Sequence, residues 1–301
     1  MTDGTRIAII GGGPAGLAAA LTLARAEVAS IVIDAPTPPR NAASRAIGNL
    51  PGHDGIAPDA LRDKMRDELA AYGCVDFVSA PISSVDGSVA AGFQLYPAAG
   101  STIEAARIIL ACGRVDIYPE VEGFREYWAK SIHNCPYCGG YDARGTPWGI
   151  VINRPEMIGI VEIYAMWSDD LILFLEPEIS IDPDREQALA ARGIGVEKTP
   201  ISAILGDGTR MRAVALADGR QVSRSALNWW PKMRLPDLVQ GMDLTQTARG
   251  EVAMDGAFAT SWPGVYAAGD LTYTDHQTVA TAIHQGGACA ASLVFQLAMA
   301  R

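Results

Sequence analysis

Two cysteines three positions apart, in the segment Cys135-Pro136-Tyr137-Cys138, have the clearest potential for chemistry in this sequence. The i, i+3 spacing places both sulfur atoms on one side of a helical turn, close enough to form a disulfide. The helix dipole lowers the pKa of a thiol at such a turn, and the thiolate is the reactive form. The pattern therefore predicts a redox-active dithiol/disulfide pair.

A zinc half-site and a pair of inert thiols are the alternatives. A structural zinc site needs about four ligands, whereas His133 is the only other candidate nearby and the sequence has no second C-x-x-C. The remaining cysteines, Cys74, Cys112 and Cys289, are interpreted as buried small apolar side chains. Five sparse cysteines are not a secreted disulfide framework, so we expect a reducing, cytoplasmic location.

A glycine-rich turn near the beginning of the sequence predicts a βαβ unit. A strand over residues 6–10 leads into Gly11-Gly12-Gly13-Pro14-Ala15-Gly16. A helix follows over 17–25, and a second strand over 30–33 ends at Asp34. This is the dinucleotide-binding fingerprint in its expected context. A glycine-rich turn without a ligand is the alternative, which the combination of strand, helix and terminal acid disfavours.

Each residue of that fingerprint has a physical role. Gly11 permits the tight turn, Gly13 lets the backbone approach a pyrophosphate, and Gly16 lets the helix press against the strand. Free N–H groups and the positive dipole end of the helix then hold the phosphates. Asp34 is placed to accept a hydrogen bond from a ribose hydroxyl.

The rest of the chain predicts further strands and helices, with a domain boundary near residue 115. In the first part we expect a helix over 58–72, strands over 76–85 and 107–112, and turns at Asp86-Gly87 and Ala99-Gly100. In the second part we expect strands over 148–152 and 171–175 around a helix over 157–167, turns at Asp207-Gly208 and Asp218-Gly219, and a final helix over 278–299.

The second βαβ unit lacks the features of a nucleotide site. Its turn reads Asn153-Arg154-Pro155-Glu156-Met157, in which Pro155 has no N–H and Glu156 brings negative charge to the first helical turn. The stretch 169–184 contains several carboxylates and no lysine or arginine, namely Asp169, Asp170, Glu176, Glu178, Asp182 and Asp184. Repulsion from charges within a Debye length opposes a phosphorylated dinucleotide. The sequence therefore predicts that NADPH is not the reductant.

The charge and the hydrophobicity of the chain limit the classes of binding partner. The chain has 301 residues, with 24 basic and 34 acidic side chains and a net charge of −10. Such an acidic surface repels nucleic-acid phosphates and anionic lipid. No apolar run approaches the roughly 18 residues that a membrane-spanning helix needs. Nucleic acid and membranes are therefore not expected partners.

The motifs together resemble the low-molecular-weight thioredoxin reductase family over nearly the whole chain. The resemblance rests on GGGPAGLAAA with Asp34, on Asn49-Leu50-Pro51-Gly52, on Ala111-Cys112-Gly113 and on GVYAAGD ending at Asp270. It implies an α/β fold of two Rossmann-like, three-layer nucleotide-binding domains, the second inserted in the first. Residues 1–115 and 240–301 would form the FAD-binding domain. Residues 116–239 would form the inserted domain, which carries the C-x-x-C and whose NAD(P) site is expected to be lost.

The same resemblance assigns roles to individual residues. Cys138 would face the flavin and Cys135 would exchange with substrate, while Asn49 would hydrogen-bond the flavin and Arg40 would counter the pyrophosphate charge. The FAD contacts it implies are Gly11, Gly13, Pro14, Ala15, Gly16, Asp34, Arg40, Asn41, Asn49, Ala80, Gly113, Gly269, Asp270, Gln277, Thr278 and Val279.

Further segments are similar to the dithiol oxidase branch, whose members close disulfides in small natural products such as gliotoxin and holomycin. These segments are Arg40-Asn41-Ala42, Cys135–Asp142 and Trp167-Ser168-Asp169-Asp170. The branch implies a homodimer that passes two electrons from a small-molecule dithiol to the C-x-x-C disulfide, then to FAD and to oxygen, releasing hydrogen peroxide. A disulfide reductase fed by ferredoxin, an NADPH-dependent thioredoxin reductase and a flavin-binding redox sensor are the alternatives.

One departure concerns the acid/base residue. Many relatives have histidine directly after the second cysteine and classical thioredoxin reductases have aspartate there, whereas this chain has Gly139. An imidazole titrates near neutral pH and suits the removal of a thiol proton. Among the histidines we favour His276, with His284 second, as the catalytic base. His133 and His53 are the other candidates, and an ordinary structural role is the alternative for each.

Overall fold

The chain divides into two compact units. A computed structural model describes residues 6–273 and 276–300. The first unit comprises Met1–Arg40, Pro58–Val115 and Met233–Arg301, and the second comprises Asn41–Ala57 and Asp116–Lys232. Each unit has a parallel sheet between two further layers, so the fold is the mixed α/β arrangement expected from the sequence.

The helices and strands are numbered along the chain. The α-helices are α1 Pro14–Arg25, α2 Pro58–Leu69, α3 Phe124–Tyr127, α4 Pro136–Gly139, α5 Pro183–Ala190, α6 Asp237–Gln240 and α7 Val279–Met299. The first strands are β1 Ile7–Ile10, β2 Ser30–Asp34, β3 Val75–Ser79, β4 Ile82–Ser88, β5 Gly92–Pro97, β6 Ile103–Ala105, β7 Arg107–Leu110, β8 Val115–Ile117 and β9 Ile132–His133. The later strands are β10 Trp148–Ile152, β11 Leu171–Leu175, β12 Gly195–Glu197, β13 Ile201–Gly206, β14 Met211–Leu216, β15 Gln221–Ser223, β16 Ala226–Asn228, β17 Lys232–Arg234 and β18 Val265–Ala267.

The parallel sheet of the first unit has the order β18-β7-β1-β2-β3. Successive side chains of strand β1 point to opposite faces of the sheet, and both faces are covered by another layer. Ile7 and Ile9 pack toward α1 and α7, whereas Ala8 and Ile10 pack toward the antiparallel sheet β4-β5-β6. The first unit therefore has three layers, with the glycine-rich turn at the carboxyl end of β1.

Glycines allow α1 to approach its neighbours closely. A Cβ atom on Gly16 would overlap the carbonyl oxygen of Gly11, and one on Gly286 of α7 would overlap the carbonyl oxygen of Ala15. The helix begins at Pro14, three residues before the predicted start at Leu17. The fixed φ of proline suits the first helical position, where its missing N–H costs nothing.

The second unit repeats the arrangement with the sheet order β12-β11-β10-β16-β9. One face of this sheet packs against α5 and a 3₁₀ helix, Pro155–Met166, and the other face packs against the hairpins β13-β14-β15. The predicted α-helix over 157–167 is thus wrong in type. Gly159 and a run of β-branched residues disfavour an α-helix in this segment.

Several predicted boundaries agree with the structure and others do not. The turns at Gly208 and Gly219 connect β13 to β14 and β14 to β15, and α7 matches the predicted final helix. The strand predicted over 76–85 is instead two strands, β3 and β4, in different sheets, separated at Pro81, which cannot donate to a ladder. The turn predicted at Asp86-Gly87 is wrong because Gly87 lies inside β4 opposite Phe93.

The domain division differs from the predicted one at two places. Residues 41–57 lie with the second unit and not with the first, and the second boundary falls after Lys232 and not after residue 239. Close backbone packing explains the first difference, because a Cβ atom on Gly48 would lie 2.5 Å from the carbonyl oxygen of Cys138. Among the residues described, no helix is long and apolar enough to cross a bilayer.

Candidate active site

Cys135 and Cys138 form a disulfide, with their Cα atoms 5.3 Å apart. Cys135 caps the single turn of α4, and its carbonyl oxygen accepts hydrogen bonds from the N–H groups of Cys138 (3.2 Å) and Gly139 (3.3 Å). Both cysteines are half-buried. The structure thus places the pair in the geometry that the i, i+3 spacing predicts. Within 6–273 and 276–300, no group of three or more His, Cys, Asp or Glu side chains could hold a metal ion.

Tight backbone contacts hold the turn that carries the disulfide. The backbone of Gly48 lies against the carbonyl group of Cys138, as described above. A Cβ atom on Gly140 would lie 2.9 Å from Nε1 of the Trp167 indole. Trp167 also makes an edge-on contact with Tyr137, with the ring centroids 5.5 Å apart, and Tyr137 is half-exposed between the two cysteines. An aromatic surface therefore borders the disulfide.

The other cysteines have no features of a reactive pair. Cys289 is fully buried, and burial raises the pKa of its thiol to about 12. Burial also raises the pKa of the Cys112 thiol to about 12. Both thiols stay protonated at neutral pH and are therefore poor nucleophiles. Cys74 and Cys112 each keep part of their residue surface accessible to solvent. The prediction that all three cysteines are buried is therefore correct for Cys289 alone.

The glycine-rich turn of the first unit has space for a phosphate. Gly11 has a φ of +115° and lies against the carbonyl group of Ala111, a position that excludes a side chain. A Cβ atom on Gly13 would meet no atom within 4 Å. No side chain in the described part of the chain caps the N-terminus of α1. Its N–H groups therefore remain available for a pyrophosphate, as the fingerprint predicts.

Asp34 stands at the end of β2 with more partners than the sequence suggested. Its Oδ1 accepts from the N–H of Gly12 at 2.9 Å, and its Oδ2 accepts from Nη2 of Arg66 at 2.8 Å. Arg62 lies 3.8 Å from the same carboxylate. Sequence reasoning missed both arginines, although their i, i+4 spacing on α2 indicates a shared helix face.

Three residues assigned to FAD from distant parts of the sequence meet in the first unit. Nη1 of Arg40 lies 3.3 Å from Oδ2 of Asp270 and 3.2 Å from Oε1 of Gln277. Gly269, directly before Asp270, has a φ of +77° and begins a short 3₁₀ turn. Arg40 thus connects the end of the GVYAAGD segment, at Asp270, with Gln277, which lies two residues before α7.

The other residues assigned to FAD are divided between the units. Thr278 caps α7 by accepting from the N–H of Thr281, directly before Val279. The N–H of Ala80 donates to the carbonyl oxygen of Asp34 at 3.1 Å, and Gly113 follows β7 with a φ of +63°. Asn41 and Asn49 lie in the second unit. Asn49 adopts a φ of +60°, and its N–H donates to Asp54 at 2.7 Å.

The two favoured histidines belong to the first unit. His276 is exposed just before α7, next to residues 274–275, which lie outside the described part of the chain. His284 is exposed on α7 itself. The catalytic role of these two histidines stays a prediction.

Side chains occupy the turn after β10 in the second unit. Nδ2 of Asn153 donates to the carbonyl oxygen of Trp230 at 2.6 Å, and the guanidinium of Arg154 lies 5.6 Å from the centroid of the Trp230 ring. Pro155 begins the 3₁₀ helix and offers no N–H. This turn therefore lacks the open backbone that the glycine-rich turn of the first unit has.

The acidic stretch 169–184 is less repulsive than its sequence suggested. Asp170 lies 2.7 Å from Nη1 of Arg224, which is buried. Asp182 caps α5 by accepting from the N–H groups of Asp184 and Arg185. Glu176 also interacts with Trp229 and Lys232. Several of the six carboxylates thus have partners within the second unit, and the electrostatic argument against a dinucleotide is weaker than the sequence suggested. The side chains that fill the turn at Asn153 argue against a dinucleotide independently of these charges.

Comparison with known proteins decides the family. A model of the pyridine nucleotide-disulphide oxidoreductases matches residues 5–159, which contain the glycine-rich turn and both cysteines. The chain belongs to this family. It is 31% identical to thioredoxin reductase tcpT of Claviceps purpurea over 87% of this chain and 85% of that one. It is 28% identical to thioredoxin reductase sirT of Leptosphaeria maculans over 96% of this chain and 93% of that one.

Solved structures share the fold over almost the whole chain. The crystal structure of HlmI superposes with a TM-score of 0.90 at 31% identity, covering 99% of this chain and 94% of that one. An oxidoreductase from Agrobacterium tumefaciens superposes with a TM-score of 0.90 at 30% identity and covers 99% of both chains. The predicted resemblance to thioredoxin reductases and the two-domain Rossmann-type fold are confirmed.

This member of the pyridine nucleotide-disulphide oxidoreductase family is an FAD-dependent thiol/disulfide oxidoreductase. The first unit fits the cofactor, because the uncapped α1 and the open space at Gly13 leave room for its pyrophosphate. Asp34, at the end of β2, is at the position expected to bind the adenosine ribose. Arg40 and Asp270, which the sequence also assigns to FAD, form an ion pair in the same unit. These residues would hold FAD.

Replacing Arg40 with glutamine is expected to weaken FAD binding about tenfold, because the charge-assisted contacts to Asp270 and Gln277 are lost together with a positive charge. Flavin fluorescence released on serial dilution measures the dissociation constant. Arg25→Gln, at an exposed position at the end of α1, is the matched control and should retain FAD. Equal retention by the two variants would contradict a role of Arg40 in the cofactor site.

Proposed function

We propose that this flavoenzyme is a dithiol oxidase that closes an intramolecular disulfide in a small-molecule dithiol of natural-product type, with oxygen as the electron acceptor and hydrogen peroxide as the product. The observation that carries the proposal is an asymmetry between the units. The turn after β1 is open and glycine-lined, whereas the turn after β10 is filled by Asn153, Arg154 and Pro155. Electrons therefore enter through the disulfide and not from NADPH.

The cysteine pair supplies the exchange chemistry. A substrate thiolate attacks Sγ of Cys135, the Cys135–Cys138 bond breaks, and its electron pair moves to Sγ of Cys138. The second substrate thiolate then attacks the substrate sulfur bound to Cys135, which closes the product disulfide and releases the Cys135 thiolate. The substrate has lost two protons and two electrons, and the electrons reside on the reduced pair.

The chemistry that FAD supplies when bound is acceptance of this electron pair and its delivery to oxygen, which leaves with two protons as hydrogen peroxide. Tyr137 and Trp167 offer an aromatic surface beside the disulfide, which suits an apolar small molecule. A role of His276 or His284 as a base stays a prediction, and the assignment of Cys138 to the flavin side is part of the proposal. A homodimer and a cytoplasmic location also stay predictions.

Anaerobic mixing tests the electron donor directly. A dithiol such as dithiothreitol is expected to bleach the visible absorption band of the bound flavin, and NADPH at the same concentration is expected to leave it unchanged. On admission of air, the dithiol sample should regain the band and form peroxide, which a peroxidase-coupled assay measures. Bleaching by NADPH with no response to the dithiol would overturn the proposal.

A disulfide reductase supplied by ferredoxin or another protein donor is the second candidate, because the filled turn after β10 also fits a donor other than NADPH. The net charge of −10 disfavours an acidic ferredoxin as partner. Flavin bleaching by reduced ferredoxin without any bleaching by a dithiol would decide for the reductase.

A further inference from the structure

Position 139, directly after the second cysteine, has no side chain, and the imidazole of His133 fills the space that such a side chain would occupy. Gly139 directly follows Cys138. A Cβ atom built on Gly139 would lie 2.5 Å from Nδ1 of His133 and 2.7 Å from both Cε1 and Cγ of the same ring. Real Cβ atoms do not come so close to other atoms, so the His133 ring occupies the volume that any side chain at position 139 would need.

The backbone around His133 fixes the position of this ring. His133 ends β9, which pairs in parallel with β16 so that His133 lies opposite Asn228. Its carbonyl oxygen accepts from the N–H of Trp229 at 2.9 Å. One residue, Asn134, separates β9 from Cys135 at the cap of α4. The histidine therefore lies on a strand of the sheet, two residues before the first cysteine.

The surroundings of His133 suit a proton acceptor. Burial lowers the pKa of its imidazole, and the opposing effect of the Asp142 carboxylate, in the turn after α4, is the smaller of the two. The neighbour from β16 is Asn228, which is uncharged, and α4 with its N-cap residue carries the two cysteines. The ring is thus neutral at neutral pH in the oxidised enzyme, and Asp142 stabilises the imidazolium once a proton arrives.

We propose that His133, and not His276 or His284, is the acid–base residue of the Cys135–Cys138 pair and takes over the function that other members of the branch assign to the residue after the second cysteine. The inference rests on the proposed function, since it concerns the same exchange. When the Cys135–Cys138 bond breaks, the electron pair moves to Sγ of Cys138 and the proton lost by the substrate thiol is held on the imidazole. The second proton of the substrate goes to the Cys135 thiolate that the exchange releases. The reduced enzyme then carries the Cys138 thiolate beside an imidazolium, which lowers the pKa of that thiol.

Alkylation of the reduced protein tests this without any substrate. The rate of iodoacetamide reaction at Cys135 and Cys138, followed by mass spectrometry across pH, reports the pKa of each thiol. His133→Asn is expected to shift the profile to higher pH and to slow alkylation at neutral pH about tenfold, because the thiolate loses its cationic partner. It should also slow peroxide formation with dithiothreitol by about a hundredfold. Lys130→Gln, which removes an exposed charge three residues before His133, is the control and should leave the profile unchanged.

A relocation experiment separates chemistry from packing. Gly139→His alone should impair the enzyme, because the His133 ring occupies the space. The double variant His133→Ala/Gly139→His should recover most of the activity and the low-pH alkylation profile that His133→Ala alone loses. An unchanged profile in His133→Asn, or a double variant no better than His133→Ala, would overturn the inference. A shifted profile in an enzyme that forms no peroxide with dithiols would support His133 while refuting the proposed oxidase.

Discussion

Cys138→Ser is expected to lower peroxide formation from a dithiol by about a thousandfold or more while the protein keeps its FAD. The disulfide of Cys135 and Cys138 is the only bonded pair among the described cysteines, so either substitution removes the electron entry point. Serine preserves the size of the side chain but cannot form a disulfide. The cofactor residues of the first unit are untouched, so loss of activity should occur without loss of flavin colour.

The exchange mechanism predicts the behaviour of both single variants. Cys138→Ser leaves Cys135 free to form a stable mixed disulfide, so 5,5′-dithiobis(2-nitrobenzoate) should label it at Cys135, detectable by mass spectrometry. Cys135→Ser should be equally inactive. Cys74→Ser is the control, since that half-buried thiol lies outside the pair. If Cys135→Ser retained turnover with a dithiol, the assignment of Cys135 as the exchanging sulfur would have to be abandoned.

Gly286→Ala is expected to destabilise the first unit by about 2 kcal/mol, which corresponds to a loss of about 5 °C in Tm. A methyl group on Gly286 would overlap backbone atoms of Ala15, and backbone atoms on two packed helices cannot move aside as a flexible side chain can. Because Ala15 lies in the first turn of α1, the displacement also disturbs the N–H groups that hold the cofactor, and FAD should be released at a lower temperature.

Gly287→Ala is a matched control on the same helix. A Cβ atom there would meet Oγ1 of Thr22 at 3.5 Å, an ordinary contact. Alanine is favoured over glycine inside a helix by about 1 kcal/mol, so this variant should be slightly more stable than the parent. Thermal release of flavin fluorescence measures both variants. Equal effects of the two substitutions would show that helix propensity, and not the contact of α1 with α7, governs the stability of this helix pair.

Local patterns made much of this fold predictable. The glycine-rich turn is recognisable because each glycine meets a short-range requirement, as the φ of +115° at Gly11 shows. The Asp-Gly turns ending at Gly208 and Gly219 were predicted correctly, since both glycines adopt positive φ between antiparallel strands. The same dipeptide at Asp86-Gly87 failed as a predictor, because strand pairing with β5 continues through it.

Contacts between distant segments could not be predicted. No local pattern indicates that Arg66 pairs with Asp34 or that Arg224 neutralises Asp170. The packing of Gly48 on Cys138, which places residues 41–57 with the second unit, depends on the folded path of the backbone. His133 was recognised as a candidate near the cysteines, but its contact with position 139 follows from the turn between them and not from its place in the sequence.

The strand order of the first unit constrains when each part of the protein can fold during synthesis. Strand β18 completes the sheet beside β7, and α7 covers the helical face of β1 and packs on α1. The second unit, in contrast, is complete at Lys232. On the ribosome, the disulfide-bearing unit can therefore finish folding while the flavin-binding unit still waits for its final strand and helix. We therefore expect FAD to be acquired late in the maturation of this enzyme.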